Sequence, residues 1–232
     1  METRDSDASE LNQRLAALGA IDRDAELVVF VSESCPFCAR AVEHARQVAA
    51  ASPRILLEIV DAGRERERAL AESVASVPLT VLDGELRRTG VISPVELATW
   101  ILERGSPAHT ARLLVSSLDD GRLDEATRRV LAPGGDRAFA RAWAASAMSQ
   151  RMGLMAALED VLAAEPRALD DVVADLVASL EAGDAALRGD TADLLGRIGH
   201  PAARPALAAH EEDPDPDVAE AVTEALERLR EA

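Results

Sequence analysis

The two cysteines of the chain lie three residues apart, in the segment Cys35-Pro36-Phe37-Cys38. A short β-branched apolar run precedes this segment and a helical pattern follows it, which places the pair where a strand passes into a helix. Unpaired backbone N–H groups and the positive end of the helix dipole favour a thiolate at such a position. We therefore predict that Cys35 is the nucleophile of thiol–disulfide exchange and that Cys38 resolves the mixed disulfide.

Other uses of the pair are less consistent with the sequence. A structural zinc site needs four ligands, but the chain has no third cysteine and its four histidines show no ligand spacing, so no metal is expected. A purely structural disulfide and an idle pair in a docking domain remain as alternatives. Arg40 and His44 follow the pair on the helix, where either residue tunes the thiolate or simply lies on a solvated face.

The elements around the pair follow the order β-α-β-α-β-β-α after a first helix, all within residues 1–105. Strands are predicted at 26–31, 54–60, 79–82 and 85–89, and helices at 8–18, 36–51, 64–75 and 93–104. Asp83-Gly84 predicts a hairpin turn, Ser93 and Glu96 a capping box, and Pro36 a place in the first helical turn. The βαβ start predicts a parallel strand pair, and such sheets bind ligands at the carboxyl ends of their strands.

Residues 26–104 resemble the thioredoxin/glutaredoxin superfamily. The resemblance rests on Cys35-Pro36-Phe37-Cys38 after a strand, on Ser76-Val77-Pro78 before a strand, and on the hairpin followed by a capped helix. It implies that Pro78 follows a cis peptide bond beside the dithiol and that the Val77 backbone pairs with bound substrate. Pro36, Phe37, Val77 and Pro78 are thus predicted to bind substrate. A trans proline that starts an edge strand is the alternative.

The sequence departs from that superfamily at several positions, of which two concern the chemistry of the dithiol. Val29 stands where thioredoxins usually carry a buried acid, and Glu33 lies just before the motif, where glutaredoxins usually carry a cation. A carboxylate at this position repels anionic glutathione. The resemblance therefore favours a protein dithiol or disulfide as substrate, with a flavoprotein or a thioredoxin-reductase-type protein as the candidate electron donor and no bound cofactor.

Residues 106–232 are rich in alanine, show no strand pattern and break into about eight helices in four hairpins. Residues 184–198 align with residues 215–229 at an offset of 31, which indicates stacked repeats. This stretch resembles the HEAT-like repeat family. Trp143 is predicted to pack between repeats, and Met148, Met152 and Met155 in the core or, alternatively, in a partner groove. The predicted fold class is an α/β thioredoxin-like domain, 1–105, followed by an all-α HEAT-like repeat domain, 106–232.

The charge of the chain excludes several partners. The formal net charge is −17 and all 25 basic residues are arginine, so nucleic acid and anionic membranes are not expected. The acidic segment between Glu211 and Asp217 is predicted to be a solvated turn with helix caps rather than a cation site. The N-terminus shows no secretory signal and no apolar run reaches membrane-spanning length, which predicts a cytoplasmic protein.

Two functions follow from these observations. In the first, the dithiol reduces or oxidises protein disulfides and the helical repeats bind the partner or substrate. In the second, the chain is a non-catalytic interaction or redox-sensing scaffold in which the helical repeats bind a partner protein. Turnover of a simple disulfide that depends on Cys35 distinguishes the two.

Overall fold

The structure is a computed structural model that describes residues 2–231, with side chains described from residue 8 onward. The chain forms two compact units, Met1–His109 and Thr110–Ala232. Among the described residues, none of the helices combines the length and the hydropathy that a membrane span requires.

The first unit contains a four-stranded sheet with helices packed against it. Its elements follow the predicted order, and the first helix begins earlier than predicted. They are α1 (Glu2–Leu18), β1 (Ala25–Val31), α2 (Cys38–Ala49), β2 (Ile55–Asp61), α3 (Arg66–Ala71), β3 (Leu79–Leu82), β4 (Leu86–Thr89) and α4 (Pro94–Leu102).

The strands lie in the order β2-β1-β3-β4. Strands β1 and β2 are parallel, as the βαβ pattern predicts, whereas β3 is antiparallel to both β1 and β4. In the hairpin between β3 and β4, Asp83 and Gly84 both have positive φ, of 52° and 71°. Leu82 pairs with Leu86, so three residues connect the strands, and the Glu85 amide donates to the Leu82 carbonyl at 3.1 Å across the turn. Glycine adopts a positive φ without steric cost. The Asp83 carboxylate further accepts a hydrogen bond from the Glu26 amide at 2.9 Å.

The packing of the sheet fixes the surroundings of the cysteine pair. Helix α2 packs on β1, β2 and α4, and α1 packs on α4. On one face of the sheet, Phe30, Val60, Leu79 and Val81 form a buried cluster against which Val77 packs. The cluster therefore anchors the segment that enters β3.

The cap of α4 differs from the prediction in one respect. Ser93 caps the helix as expected, because its hydroxyl accepts a hydrogen bond from the Glu96 amide at 3.2 Å. The Glu96 carboxylate, however, pairs with Arg88 on β4 instead of reaching back to the cap. The Glu96 side chain thus pairs with the neighbouring strand β4, whereas the capping-box pattern predicts a hydrogen bond to the backbone of Ser93.

The second unit is helical throughout the residues that the structure describes. Its elements are α5 (Pro107–Asp119), α6 (Leu123–Leu131), α7 (Gly135–Ala145), α8 (Met148–Ala164), α9 (Val173–Ala182), α10 (Ala185–Ile198), α11 (Arg204–Ala209) and α12 (Pro216–Glu231), with single 3₁₀ turns at Asp170–Val172 and Pro201–Ala203. The eight α-helices agree with the number predicted from the turn signals. Helices α10 and α12, which contain the aligned repeat segments, pack directly on each other.

One continuous aliphatic core holds the second unit together. Trp143 is fully buried in it, as predicted, and its indole Nε1 donates to Thr191 Oγ1 at 2.9 Å. The prediction that the methionines pack in the core is wrong for two of them, because Met148 is 65% exposed and Met152 is 69% exposed. Met155 alone of the three packs against the core. The methionine spacing therefore does not mark one buried stripe.

The acidic segment after α11 also differs from the prediction at one residue. The Asp213 side chain is only 2% exposed, and Arg188 on α10 donates two hydrogen bonds to it, at 2.7 and 2.9 Å. The Asp215 amide donates to the same carboxylate at 3.0 Å. Asp213 therefore ties the turn to α10 rather than lying in solvent. Among the described residues, no group of His, Cys, Asp and Glu is arranged to hold a metal ion.

Candidate active site at the dithiol

The cysteine pair lies where β1 passes into α2, and both thiols are free. Helix α2 begins at Cys38, with Phe37 at the N-cap, so Pro36 precedes the helix and does not lie in its first turn. Cys35 lies in the turn before the helix, where its amide donates to the Ser32 carbonyl at 3.1 Å. The turn leaves Cys35 partly exposed, whereas Cys38 is 4% exposed.

The two thiols differ in acidity because they differ in surroundings. The pKa of Cys35 is lowered from 9.0, chiefly because the Cys38 thiol donates to its sulfur, and further because the backbone amides of Phe37 and Cys38 point at it. Burial is the main reason why the pKa of Cys38 is raised to about 11, and its hydrogen bond to Cys35 adds to this. The exposed sulfur is thus the better thiolate, and the buried sulfur keeps its proton.

The segment before β3 lies against the dithiol, although it is 42 residues further along the chain. The Cys35 Sγ lies 3.6 Å from the Val77 carbonyl oxygen, and the Val77-Pro78 peptide bond is cis, as the resemblance implies. Val77 is half-buried and Pro78 is buried. The structure therefore brings together four residues that the sequence places in two distant motifs, namely Cys35, Cys38, Val77 and Pro78.

Pro36 and Phe37 face solvent beside these residues. Phe37 is 62% exposed, whereas the other two phenylalanines and both tryptophans are buried. An exposed aromatic ring next to a reactive sulfur offers apolar contact area to an incoming polypeptide. The geometry is compatible with the predicted role of Phe37 in binding substrate.

The two residues considered as tuning groups on α2 lie differently from each other. His44 is half-buried, and its Nδ1 lies 2.7 Å from the Ile92 carbonyl, to which it donates. Arg40 lies on the exposed face of the helix. The groups that shift the pKa of Cys35 are Cys38 and the local backbone, so neither Arg40 nor His44 is needed to explain the shift.

Sequence reasoning missed a partner of Glu33. Arg64, in the turn after β2, forms an ion pair with the Glu33 carboxylate, and both side chains are mostly exposed. The Asp61 carboxylate holds this turn by accepting hydrogen bonds from the amides of Gly63 and Arg64, at 2.8 and 3.1 Å. Glu33 is therefore compensated rather than an isolated negative charge beside the thiolate. The pair spans 31 residues, and no local pattern in the sequence indicates it.

Comparisons with known families agree with this arrangement. The thioredoxin domain family matches residues 25–102, and the HEAT repeat family matches residues 173–232. Residues 25–102 are therefore thioredoxin-like, and residues 173–232 are HEAT repeats. Both resemblances inferred from the sequence are thereby confirmed, including the α/β and all-α character of the two regions.

Two solved structures are similar to part of this chain. One is the NTD_N/C domain of alkylhydroperoxide reductase AhpF from Enterococcus faecalis, with 27% identity, 38% of this chain and 41% of that chain covered, and a TM-score of 0.35. A mutant of alkylhydroperoxide reductase AhpF from the same organism has 26% identity, the same coverage and the same TM-score. The chain spans about two fifths of the length of these structures. Among curated proteins, none matches the chain.

Proposed function

We propose that the protein is a thiol–disulfide oxidoreductase that acts on protein disulfides through Cys35 and Cys38, and that its HEAT repeats bind the partner. The observation that carries the proposal is the asymmetry of the two thiols. Cys35 is accessible with a lowered pKa, whereas Cys38 is buried with a raised pKa, and the two are hydrogen-bonded to each other. A thioredoxin-like domain supplies the fold in which such a pair exchanges disulfides.

The proposed reaction has two steps. The Cys35 thiolate attacks one sulfur of a substrate disulfide, so that a mixed disulfide forms and the other substrate sulfur leaves as a thiolate that takes up a proton. Cys38 then loses its proton and attacks the Cys35 sulfur, which forms the Cys35–Cys38 disulfide and releases the second substrate thiolate. The substrate gains two electrons and the pair loses two. A protein dithiol or a flavoprotein returns the pair to the dithiol form.

The position of Val77 beside Cys35 supports the first step. Because Cys35 Sγ lies 3.6 Å from the Val77 carbonyl, a substrate chain that pairs with the Val77 backbone is held beside the attacking sulfur. Phe37 is exposed on the same turn as Cys35 and provides an apolar contact for the same chain. Together these groups fix the position of the disulfide relative to the thiolate, which is the main requirement for rapid exchange between partners.

The test is dithiothreitol-driven reduction of insulin, compared between the wild type and Cys35→Ser and Cys38→Ser variants. Cys35→Ser is expected to abolish the acceleration, because serine supplies no thiolate. The Cys38→Ser variant, reduced and then incubated with insulin after the dithiothreitol has been removed, is expected to complete only the first step and to accumulate one mixed disulfide per chain, seen by mass spectrometry. Since the chain has only these two cysteines, every adduct is assigned without ambiguity.

Two results would contradict the proposal. One is a wild-type protein that reduces insulin no faster than dithiothreitol alone, and the other is a Cys35→Ser variant as active as the wild type.

Trapping of mixed disulfides in the host with the Cys38→Ser variant then identifies the natural substrate. Adducts with glutathione alone would show glutaredoxin-type chemistry in place of protein disulfide exchange.

A further inference from the structure

The second unit contains a groove of about 760 Å³ between α10 and α12, which is also lined by Met148 at the start of α8. This volume lies within the usual range of ligand sites and accommodates a few side chains. Its floor is made of small residues, among them Ala185, Gly189 and Ala221. Met148 stands at its border with 65% of its side chain exposed. The groove therefore combines small apolar residues with a lining that is otherwise largely charged, and no described residue covers it.

The charges around the groove are mostly acidic, and part of them are compensated within the unit. The Asp193 carboxylate accepts from Arg197 at 3.0 Å and from Arg228 at 2.6 Å, and Arg228 also pairs with Glu224. These residues form a neutral end of the groove. Asp190, nearby on α10, pairs with the buried Arg151 at 2.6 Å.

The other end of the groove keeps a negative charge. Asp217 and Glu220 lie in the first two turns of α12, are exposed, and form no ion pair within the part of the chain that the structure describes. Asp215 lies beside them and accepts a hydrogen bond from the Asp217 amide at 3.1 Å. An apolar floor with Met148 on its border and uncompensated carboxylates at one end suits a cationic segment that also carries an apolar side chain.

We propose that this groove binds a basic segment of the partner protein, with an arginine or lysine side chain at Asp217 and Glu220 and an apolar side chain against Met148. A second copy of this chain is a poorer occupant, because two chains of net charge −17 repel each other. The inference rests on the proposed function only in taking the partner to be the disulfide substrate. The groove and its charges are independent of the dithiol.

The test uses fluorescence anisotropy with a short fluorescein-labelled peptide in which arginines alternate with leucines, and the full chain as the binding protein. A peptide with glutamates in place of arginines should not bind. Replacing both Asp217→Asn and Glu220→Gln should weaken binding about 2- to 30-fold, since exposed ion pairs each contribute about 0.2–1 kcal/mol. Met148→Ala should weaken it about 3- to 10-fold through lost apolar contact.

The chain offers a matched control for each change. Glu211→Gln with Glu212→Gln removes the same charge from exposed residues that do not line the groove, and Met152→Ala truncates an equally exposed methionine outside it. Both controls should leave binding unchanged. Equal losses in the test and control variants would overturn the proposal, because they would show general attraction to an acidic surface. Circular dichroism checks that each variant is folded.

Two further measurements separate this inference from the proposed function. Sedimentation velocity should show a monomer, and a dimer that Met148→Ala dissociates would overturn the proposal by placing a second copy in the groove. Insulin reduction by the wild-type chain, compared with Cys35→Ser, reports on the proposed function alone. Peptide binding without insulin reduction would refute the proposed function and leave the groove assignment intact. Insulin reduction without peptide binding would refute the groove assignment and leave the proposed function intact.

Discussion

The contact between α10 and α12 shapes the groove, and one glycine makes that contact possible. A Cβ atom added at Gly196 would lie 2.7 Å from the Ala225 Cα and 2.8 Å from its Cβ, about 1 Å inside ordinary contact distance. The obstacle is mainly the backbone of α12, which cannot rotate away as a long side chain can. Gly196→Ala should therefore push the two helices apart.

The magnitude follows from two opposing effects. Alanine in place of glycine favours a helix interior by about 0.5–1 kcal/mol. Overpacking a well-packed core costs about 1–3 kcal/mol. The net expectation for Gly196→Ala is a loss of about 0–2.5 kcal/mol in the free energy of unfolding of the second unit.

Gly189 is the matched control, because it lies in the same helix and receives the same substitution. A Cβ at this position meets only the Val218 Cγ2, at 3.8 Å, which is an ordinary contact. Gly189→Ala should therefore stabilise the unit by about 0.5–1 kcal/mol, since only the helix preference of alanine acts there.

The assay is urea unfolding followed by circular dichroism, with hydrogen exchange and mass spectrometry to locate the change. Gly196→Ala should lower the urea midpoint and speed exchange in α10 and α12, whereas exchange in the strands of the thioredoxin-like unit should stay the same. A Gly196→Ala variant as stable as Gly189→Ala would refute the reasoning, because only the Cβ at Gly196 meets the backbone of α12 at less than ordinary contact distance.

Three further predictions concern proton transfer and buried polar groups. In the first, Cys35 carries a thionitrobenzoate group as a mixed disulfide, and Cys38 releases it. The rate constant of release should still rise with pH above pH 9, because burial raises the pKa of Cys38 and only its thiolate attacks. A rate constant that stays level above pH 8, measured by stopped-flow absorbance, would contradict this. Asp213→Asn should lower the urea midpoint at pH 7. Because the hydrogen bonds from Arg188 lower the pKa of Asp213 in the folded state, the difference in midpoint between wild type and variant should shrink as the pH falls below about 4. The same difference at pH 3 as at pH 7 would contradict this. Thr191→Val should lower the free energy of unfolding in urea by about 1–3 kcal/mol, because it leaves the buried Trp143 Nε1 unpaired. Thr223→Val, on an exposed face, is the control and should lower it by less than about 0.5 kcal/mol. Equal losses would refute this role of Thr191.

Local sequence determined most of the architecture. The strands, the Asp83-Gly84 hairpin and the cap at Ser93 depend on residues within a few positions of one another, and all of them form where the patterns predict. The position of Cys35 between a strand and a helix is also local information. The resemblance to the thioredoxin and HEAT families adds the link between Cys35 and Val77, which local patterns do not contain.

Tertiary structure decided which charged side chains form ion pairs and which side chains are exposed. The ion pair of Glu33 with Arg64 and the burial of Asp213 against Arg188 join residues 31 and 25 positions apart. The exposure of Met148 depends in the same way on where α8 begins relative to its neighbours. Charge compensation and exposure depend on the contacts that packing brings together, and for this reason the groove between α10 and α12 could be found only in the folded chain.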